Sequence, residues 1–275
     1  MVKFRSWWLN ELSIEVKFVF LILLANGLPA FLILMSLPRM TEILFVWTIK
    51  PVINARFVGV MYSNALLLVA FGAFQKSWPR VRITMVVITL FSIFATLLTF
   101  FYLKPFLAHP WYHLAYWLTM YFILFFAAPY VFIKQEQKYG GRLPVEMPLT
   151  LLTKGIISFS MGISAICGLG LIFQIETVNT FWPWEIPPLV GGLIGILFIT
   201  HTAAYGWALW DGDWVRIRPI IWQAPLTGVL FILLPLLHSS DLNPNSGNQQ
   251  LLYHGIALFF VLAHLGIILS QRMKG

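Results

Sequence analysis

The chain has 275 residues, of which 59% are hydrophobic and only 10% are charged. A soluble domain carries about 25% charged residues, so this composition excludes a surface solvated mainly by water and places the chain in a lipid bilayer. The net charge of +8 is therefore expected to set membrane topology and to contact anionic headgroups, rather than to bind nucleic acid.

The N-terminal residues predict a helix that lies on the membrane surface. Trp7 and Trp8 stand among Lys3, Arg5 and Glu11, and no small-residue cleavage site follows a short apolar run. This mixture of aromatic and charged residues is typical of an amphipathic interfacial helix.

Eight apolar segments follow, and each is long enough to cross the bilayer as a helix. A spanning helix needs about 20 mainly apolar residues, and its backbone polar groups must bond within the segment. The predicted spans are 17–37, 56–75, 82–103, 112–133, 154–174, 187–208, 219–237 and 251–271. The sequence therefore predicts an all-α integral membrane protein with eight transmembrane helices.

The basic residues indicate which helix ends are cytoplasmic. With the N-terminus inside, 14 of the 18 lysines and arginines fall in inner segments and four in outer segments. The outer connections 175–186 and 238–250 contain none. By the positive-inside rule, we expect a multi-pass protein of the bacterial plasma membrane with both termini in the cytoplasm.

Internal similarity indicates a duplicated unit. The pattern Trp-x-Arg-x-Arg at 78–82 reads again at 214–218, 136 residues later, and Trp47 returns as Trp184 at an offset of 137. A nearly constant offset between paired motifs is the signature of a repeat.

Each predicted unit holds four helices, an even number, so the two units should have the same orientation in the membrane. We expect a pseudo-two-fold axis along the membrane normal between a first unit over 1–133 and a second over 154–275. The cytoplasmic linker over 134–153 carries a Gly-Gly pair and two prolines, which discourage a continuous helix.

Tryptophans near the predicted span ends suggest an aromatic belt. Trp47, Trp111, Trp182 and Trp184 fall near the outer boundary, and Trp78 belongs to a second set near the inner one. Because indole rings prefer the headgroup layer, these residues receive a structural interpretation.

Small residues on the fifth span predict close helix packing. Gly155, Ser158, Gly162 and Ala165 follow one another at alternating spacings of three and four residues, and Gly168 extends the row, which is typical of a helix–helix contact in membranes. Cys167, the single cysteine, is interpreted as a small buried apolar side chain.

Lysine, arginine and carboxylate side chains are absent from the deep parts of the predicted spans. This disfavours ion-coupled transport, because a moving charge needs an ionisable partner in the bilayer. Histidine remains: His201 and His264 lie in the inner half, and other histidines lie near the outer surface. Two levels of histidine allow haem binding through axial imidazoles, although the sequence requires no cofactor. The alternative is a hydrogen bond from each buried histidine to a neighbouring helix.

Neutral polar residues form a second group of candidates. Asn26, Asn64, Thr200 and Gln223 fall within predicted spans and are candidates to line a cavity for a small polar solute. Interhelical hydrogen bonding is the commoner explanation for such residues.

The duplicated arginines Arg80, Arg82, Arg216 and Arg218 are predicted just inside the cytoplasmic boundary. A planar guanidinium binds phosphate through paired hydrogen bonds, so they are candidates for an anionic lipid headgroup site. Anchoring of topology alone is the competing interpretation.

The strings Phe-Trp-Pro-Trp-Glu-Ile-Pro-Pro-Leu at 181–189 and Asp-Trp-Val-Arg-Ile-Arg-Pro at 213–219 resemble those of uncharacterised bacterial multi-pass membrane proteins. The resemblance covers about 40 residues around the sixth span. It implies a multi-pass fold and assigns no activity or functional residue.

Three functional interpretations follow. The first is a non-enzymatic structural or accessory component, or a binder of lipid or another hydrophobic ligand, since phosphate-loop, zinc-ligand and nucleophile motifs are not found. The second is a facilitative transporter or channel for a small solute. The third is a haem-bearing or other electron-transfer subunit. Expected partners are membrane lipids, anionic ones among them, and other membrane protein subunits, without nucleic acid.

Overall fold

The computed structural model describes residues 12–272. The interfacial helix predicted around Trp7 and Trp8 lies outside the described residues. Within 12–272 the chain forms helices and no strand, and eight helices are long and apolar enough to cross a membrane. The predicted all-α membrane class with eight spans is confirmed.

The eight long helices agree with the predicted spans to within a few residues at most ends. They are α1 (Ile14–Ser36), α2 (Val52–Ala73), α3 (Arg82–Phe101), α4 (Trp111–Tyr139), α5 (Leu151–Phe173), α6 (Pro188–Asp211), α7 (Trp214–Leu237) and α8 (Gly247–Arg272). Short helices at Thr41–Leu44, Leu103–Leu107 and Ile175–Phe181 lie between them.

Two boundaries differ from the predicted spans for identifiable reasons. Helix α7 begins five residues early, because the Asp213 side chain accepts a hydrogen bond from the Val215 backbone N–H (2.8 Å) and caps the helix. Helix α4 continues to Tyr139, so the predicted linker is helical over its first six residues. The hydrogen bonds of Glu136, described below, hold that last turn of α4.

The helices divide into a central and a peripheral set. In α2 and α6, 67% and 72% of the membrane-length window is buried, against 22–28% in α1, α4, α5 and α8. Helices α2 and α6 therefore form the centre of the bundle, and the four peripheral helices present their apolar faces outward.

Helix contacts come in matching pairs. Helix α1 packs on α2 as α5 packs on α6, and α3 packs on α4 as α7 packs on α8; across the middle, α3 contacts α6 and α7 contacts α2. If α1, α2, α3 and α4 are replaced by α5, α6, α7 and α8, and the reverse, each of these contacts becomes another contact of the same set. This pattern is the one expected of two related four-helix units, whose pseudo-two-fold axis and parallel orientation remain predictions.

The aromatic-belt interpretation is wrong for the tryptophans that mark the repeat. Trp47, Trp78 and Trp184 are 2%, 0% and 0% exposed, and they fill the two ends of the bundle core rather than the headgroup layer. Trp184 Nε1 donates to Asn54 Oδ1 at 2.9 Å, so the polar atom of this buried ring is satisfied inside the protein. We refer below to the Trp184 end and the opposite, Arg82 end of the bundle.

The backbones of α5 and α6 come together at Gly168, the last member of the predicted small-residue row. A Cβ on Gly195 would lie 2.8 Å from the Gly168 carbonyl oxygen, so these two backbones touch. Positions 155 and 162, by contrast, face open space. Gly191 of α6 also comes close to α5, since a Cβ there would lie 3.3 Å from the Leu171 carbonyl oxygen. The contact depends on glycines of both helices, and only a comparison of the two identifies it.

Candidate functional site

A buried polar cluster lies where α2, α6 and α7 meet. Asn64 Nδ2 is 3.0 Å from His201 Nε2, and Gln223 Nε2 is 3.3 Å from the same nitrogen. All three side chains are buried. Three of the sequence candidates, separated by up to 159 positions, thus converge on one imidazole, and we call them the His201 cluster.

The hydrogen bonds fix the tautomer of His201. Its Nδ1 lies 2.7 Å from the Leu197 carbonyl oxygen, which only accepts, so Nδ1 carries the proton. Nε2 is then bare and accepts from the Asn64 and Gln223 amides. The histidine is neutral in this arrangement, and both amide NH₂ groups point toward it.

The two amide oxygens of the cluster have no hydrogen-bond partner. Asn64 Oδ1 and Gln223 Oε1 are both buried and unsatisfied, although such groups are normally bonded. A small cavity of about 40 Å³ borders the cluster, lined also by Ser164 and Thr227. It has room for water, which needs about 10–15 Å³ and several polar partners. The cavity therefore favours a hydrogen-bond donor as its occupant.

The remaining polar candidates have other partners. Asn26 Oδ1 accepts from the Tyr116 hydroxyl at 2.6 Å, and Asn26 lines a second small cavity, of about 50 Å³, on the other side of His201. The Thr200 hydroxyl donates to the Leu197 carbonyl at 2.8 Å and borders neither small cavity. A ligand-binding role of these residues stays a prediction.

The histidine pair does not fit a haem. His264 Nδ1 is 2.9 Å from the Phe260 carbonyl and its Nε2 is 3.1 Å from the Tyr205 hydroxyl, so both its nitrogens bond to protein, as do those of His201. The adjoining cavity is far smaller than a porphyrin. The geometry supports the alternative interpretation, hydrogen bonding between helices.

Two of the four arginine candidates are buried in ion pairs. Arg82 is paired with Glu136, and Nε1 of Trp78 donates to the same carboxylate at 2.9 Å. Arg216 contacts Asp211 at 2.6 Å and Asp213 at 3.3 Å. These guanidiniums are 1% and 2% exposed, and carboxylates already occupy several of their donors, so the geometry favours a structural role over a headgroup contact.

The same two guanidiniums also hold the connection between the predicted units. Arg82 donates to the Gly141 carbonyl at 3.1 Å, and Arg216 donates to the Pro144 carbonyl at 2.9 Å. Over the Arg82 side chain lie the rings of Trp207 and Trp210, at 5.2 and 5.5 Å. Residues of both predicted units therefore meet around this connection.

Arg80 and Arg218 are the only two of the four duplicated arginines that are partly exposed. The Arg218 guanidinium lies over the Trp222 ring at 5.2 Å. Arg80 is close enough to interact electrostatically with that guanidinium. A headgroup role of the four arginines stays a prediction, and the exposure of Arg80 and Arg218 favours this pair.

A larger cavity, absent from the sequence predictions, lies toward the Trp184 end among α5, α7, α8 and Ile175–Phe181. It has a volume of about 250 Å³ and an almost entirely aliphatic and aromatic lining. Ile166 on α5 and Leu252 on α8 line it and are 74% and 52% exposed. The cavity therefore reaches the lipid-facing surface between α5 and α8, and we call it the lateral cavity.

Two residues that line the lateral cavity carry polar atoms without partners. The hydroxyl of Tyr253, a residue 7% exposed, and Nε1 of Trp182 are both buried without a hydrogen bond. An indole N–H only donates, and a phenol donates readily. Leaving them unsatisfied costs about 1–3 kcal/mol each. An occupant with an acceptor oxygen would remove that cost once a side-chain rotation turns these atoms toward the cavity.

The sequence carried only a faint signal for this cavity. Tyr253-His254 repeats Tyr112-His113, but Tyr112 is exposed, so the repeat does not distinguish a site. The cavity lining comes from several distant segments of the chain, which no local pattern brings together.

Fold and cavities define the class: a polytopic, all-helical membrane protein. No protein-family model matches the chain, no curated protein is similar to it, and no solved structure resembles it at a significant level. Among residues 12–272, no group of three or more His, Cys, Asp or Glu side chains is placed to hold a metal ion.

Proposed function

We propose that this chain is a non-enzymatic membrane component that binds the acyl chain and ester carbonyl of a membrane lipid in the lateral cavity. One observation carries the proposal: an apolar cavity of about 250 Å³ is lined by Tyr253, whose buried hydroxyl has no hydrogen-bond partner. Small-molecule sites typically combine such an apolar lining with a few placed polar groups.

The entry route supports an occupant that comes from the bilayer. The cavity reaches the surface beside Ile166 and Leu252, both exposed apolar residues on lipid-facing helices. A ligand that entered there would pass from lipid into an apolar lining without crossing water. A polar solute would gain nothing from that route, because the lining offers it few hydrogen bonds.

The unpartnered atoms support the choice of an ester. Tyr253 and Trp182 supply two donors, and a carbonyl oxygen accepts two hydrogen bonds. An acyl ester combines this acceptor with an apolar chain, which matches the rest of the lining. A free alkane chain would leave both donors unsatisfied.

Photo-crosslinking tests this proposal. A phospholipid with a diazirine in its acyl chain is reconstituted with the full chain, illuminated, and the modified peptides are mapped. We expect modification of α5 around Cys167 and of α8 around Ile256, both in the cavity lining. Labelling spread evenly over all lipid-facing helices would count against the site.

Matched variants sharpen the test. Ile256→Trp fills the cavity and should reduce cross-linking several-fold, whereas Leu258→Trp changes an exposed residue of the same helix outside the lining and should not. Tyr253→Phe should weaken lipid retention about fivefold, the effect of one hydrogen bond worth about 1 kcal/mol. Tyr112→Phe alters the exposed counterpart and serves as its control.

A second candidate is facilitative passage of a small neutral solute past the His201 cluster. Its support is the pair of unsatisfied amide oxygens beside a cavity that has room for water. The test is solute swelling of proteoliposomes, comparing wild type with His201→Leu and with Thr202→Val on the same helix. Rates equal to protein-free vesicles would remove this candidate and leave lipid binding unaffected.

A further inference from the structure

A polar pocket lies at the Trp184 end, on residues that the duplicated motifs do not include. It has a volume of about 440 Å³ and lies where α1 ends, α2 begins and α7 ends. Its lining includes Arg39, Arg56, His238 and Asp241, together with the Ser36 and Ser240 side chains. We call it the Arg56 pocket.

A chain of hydrogen bonds orients Arg56. Its Nη1 lies 3.0 Å from His238 Nε2, and since a guanidinium only donates, Nε2 accepts. The proton of His238 is therefore on Nδ1, 3.3 Å from Asp241 Oδ2. That carboxylate oxygen also accepts from the Ile53 backbone N–H at 2.9 Å. The Asp241 carboxylate thus bonds both to the first turn of α2 and to the His238 imidazole.

The charges of the lining leave the pocket positive. Arg39 and Arg56 supply two positive charges, and Asp241 is the one carboxylate among the described residues that line it. His238 adds no charge, because burial first and Arg56 second lower the pKa of its imidazole. The lining therefore carries one excess positive charge, and the exposed Arg39 presents its guanidinium at the mouth of the pocket.

We propose that the Arg56 pocket binds a phosphate-bearing anion at the membrane boundary. Two guanidiniums bind the oxygens of one phosphate with paired, charge-assisted hydrogen bonds, and the serine hydroxyls add neutral donors. The phosphate belongs either to a lipid headgroup or to a water-soluble anion, since the pocket lies at a helix end where both are within reach. The site is separate from the lateral cavity and does not depend on lipid binding there.

The experiment has two arms, one for each source. In the first, the thermal unfolding of the purified full chain is measured against inorganic phosphate, with chloride at equal ionic strength as reference. In the second, the protein is reconstituted in vesicles of equal phosphatidylglycerol and phosphatidylcholine, and retained lipid is identified by native mass spectrometry. A soluble anion predicts stabilisation in the first arm, and a headgroup predicts enrichment of phosphatidylglycerol in the second.

Variants connect the signal to this pocket. Arg56→Gln and Arg39→Gln should each weaken the response about tenfold, the effect of one charge-assisted contact. Lys104→Gln removes a cation of another connection, outside the pocket, and should leave the response unchanged. Since Arg39 is exposed, its variant keeps the test valid if Arg56→Gln fails to fold. No response in either arm, or equal responses in all three variants, overturns the proposal.

Discussion

Asn64 on α2 donates a hydrogen bond to Nε2 of His201 on α6, with 3.0 Å between the two nitrogens, and the two residues stand 137 positions apart. That separation is the offset at which Trp47 returns as Trp184. At that offset, positions that match in the predicted repeat meet each other at the centre of the bundle; at the offset of 136 between the Trp-x-Arg-x-Arg motifs, Asn64 would match Thr200, the neighbour of His201. A contact between matching positions is expected on the axis of a two-fold arrangement, so this hydrogen bond marks where that axis should pass.

The first prediction concerns this contact. Asn64→Leu and His201→Leu should each lower the free energy of unfolding by about 1–3 kcal/mol, because the first removes one of the two donors to Nε2 and the second leaves both buried amides without their acceptor. The double variant should lose less than the sum, with a coupling energy of about 0.6–1.7 kcal/mol. Reversible unfolding in mixed micelles measures all four species. Strict additivity would contradict a direct hydrogen bond.

The second prediction concerns the close approach of α5 and α6. Gly195→Ala should destabilise the protein, because its new methyl group would lie 2.8 Å from the Gly168 carbonyl oxygen. A cost of about 1–3 kcal/mol is typical of such overpacking. Gly162→Ala on α5 meets open space and should be neutral or stabilising by up to about 1 kcal/mol, since alanine favours the helix. Thermal unfolding of the two variants decides the matter.

The third prediction separates structural from lipid-binding arginines. Arg82→Lys and Arg216→Lys keep the charge but lose several hydrogen bonds to buried carboxylates and backbone carbonyls. We expect stability to fall by about 1–3 kcal/mol in each, with co-purified anionic lipid unchanged. Arg142→Lys, at an exposed position, should alter neither quantity. Loss of anionic lipid without loss of stability would return Arg82 or Arg216 to a headgroup role.

The fourth prediction concerns pH and His238. Its pKa is lowered, first by burial and then by the charges of Arg56 and Arg39, against the opposing effect of Asp241. A histidine with a lowered pKa stabilises the fold while neutral, so its contribution is present above the unfolded pKa of about 6.5 and is lost as the pH falls below it. Thermal stability should therefore decrease from about pH 7.5 to about pH 5.5.

His238→Gln provides the control for that pH dependence. A glutamine side chain offers an acceptor to Arg56 and a donor to Asp241 without titrating. The variant should lose part of the pH dependence between neutral and mildly acid conditions. Identical pH profiles for the variant and the wild type would exclude His238 as the source.

The fifth prediction concerns topology. In a Cys167→Ser background, Thr177→Cys in the short helix Ile175–Phe181 and Asn248→Cys in the first turn of α8, both exposed and at the Trp184 end, should react with an impermeant thiol reagent in intact cells. Gln137→Cys, at the Arg82 end, should be protected until the membrane is opened. The expectation rests on the positive-inside rule. The reverse pattern of labelling would invert the orientation of the whole bundle.

The fold was largely predictable from sequence because hydropathy is a local signal. The hydropathy of each span depends only on the residues of that span, so eight helices and most of their ends can be predicted from the sequence alone. The predicted helix boundaries were wrong where a distant or capping side chain determines the end of the helix. An example is Glu136, which bonds to Arg82, a residue 54 positions away in the sequence. Trp47 and Trp184 were misassigned for the same reason, because an indole near a span end prefers either headgroups or a protein core, and only tertiary packing selects between them.

The candidate site was predictable in its residue types and not in its geometry. His201, Asn64 and Gln223 were identified by being polar within apolar segments, but their convergence requires the arrangement of α2, α6 and α7. Asn26 is likewise a polar residue within an apolar segment, but it accepts a hydrogen bond from Tyr116 and does not contact His201 through one. The lateral cavity depends on the empty volume left between helices, which no single stretch of sequence encodes.

The two arginines that bond to the carbonyls of Gly141 and Pro144 have a mechanical consequence. They fasten the chain segment joining the two halves to both halves at once, with Arg82 on α3 and Arg216 on α7. These hydrogen bonds hold the helices together at the Arg82 end. If the two predicted units rocked against each other, these bonds would place the pivot at this end, and the amplitude would grow with distance from the pivot. The largest displacements would then fall at the Trp184 end, where the lateral cavity meets the lipid.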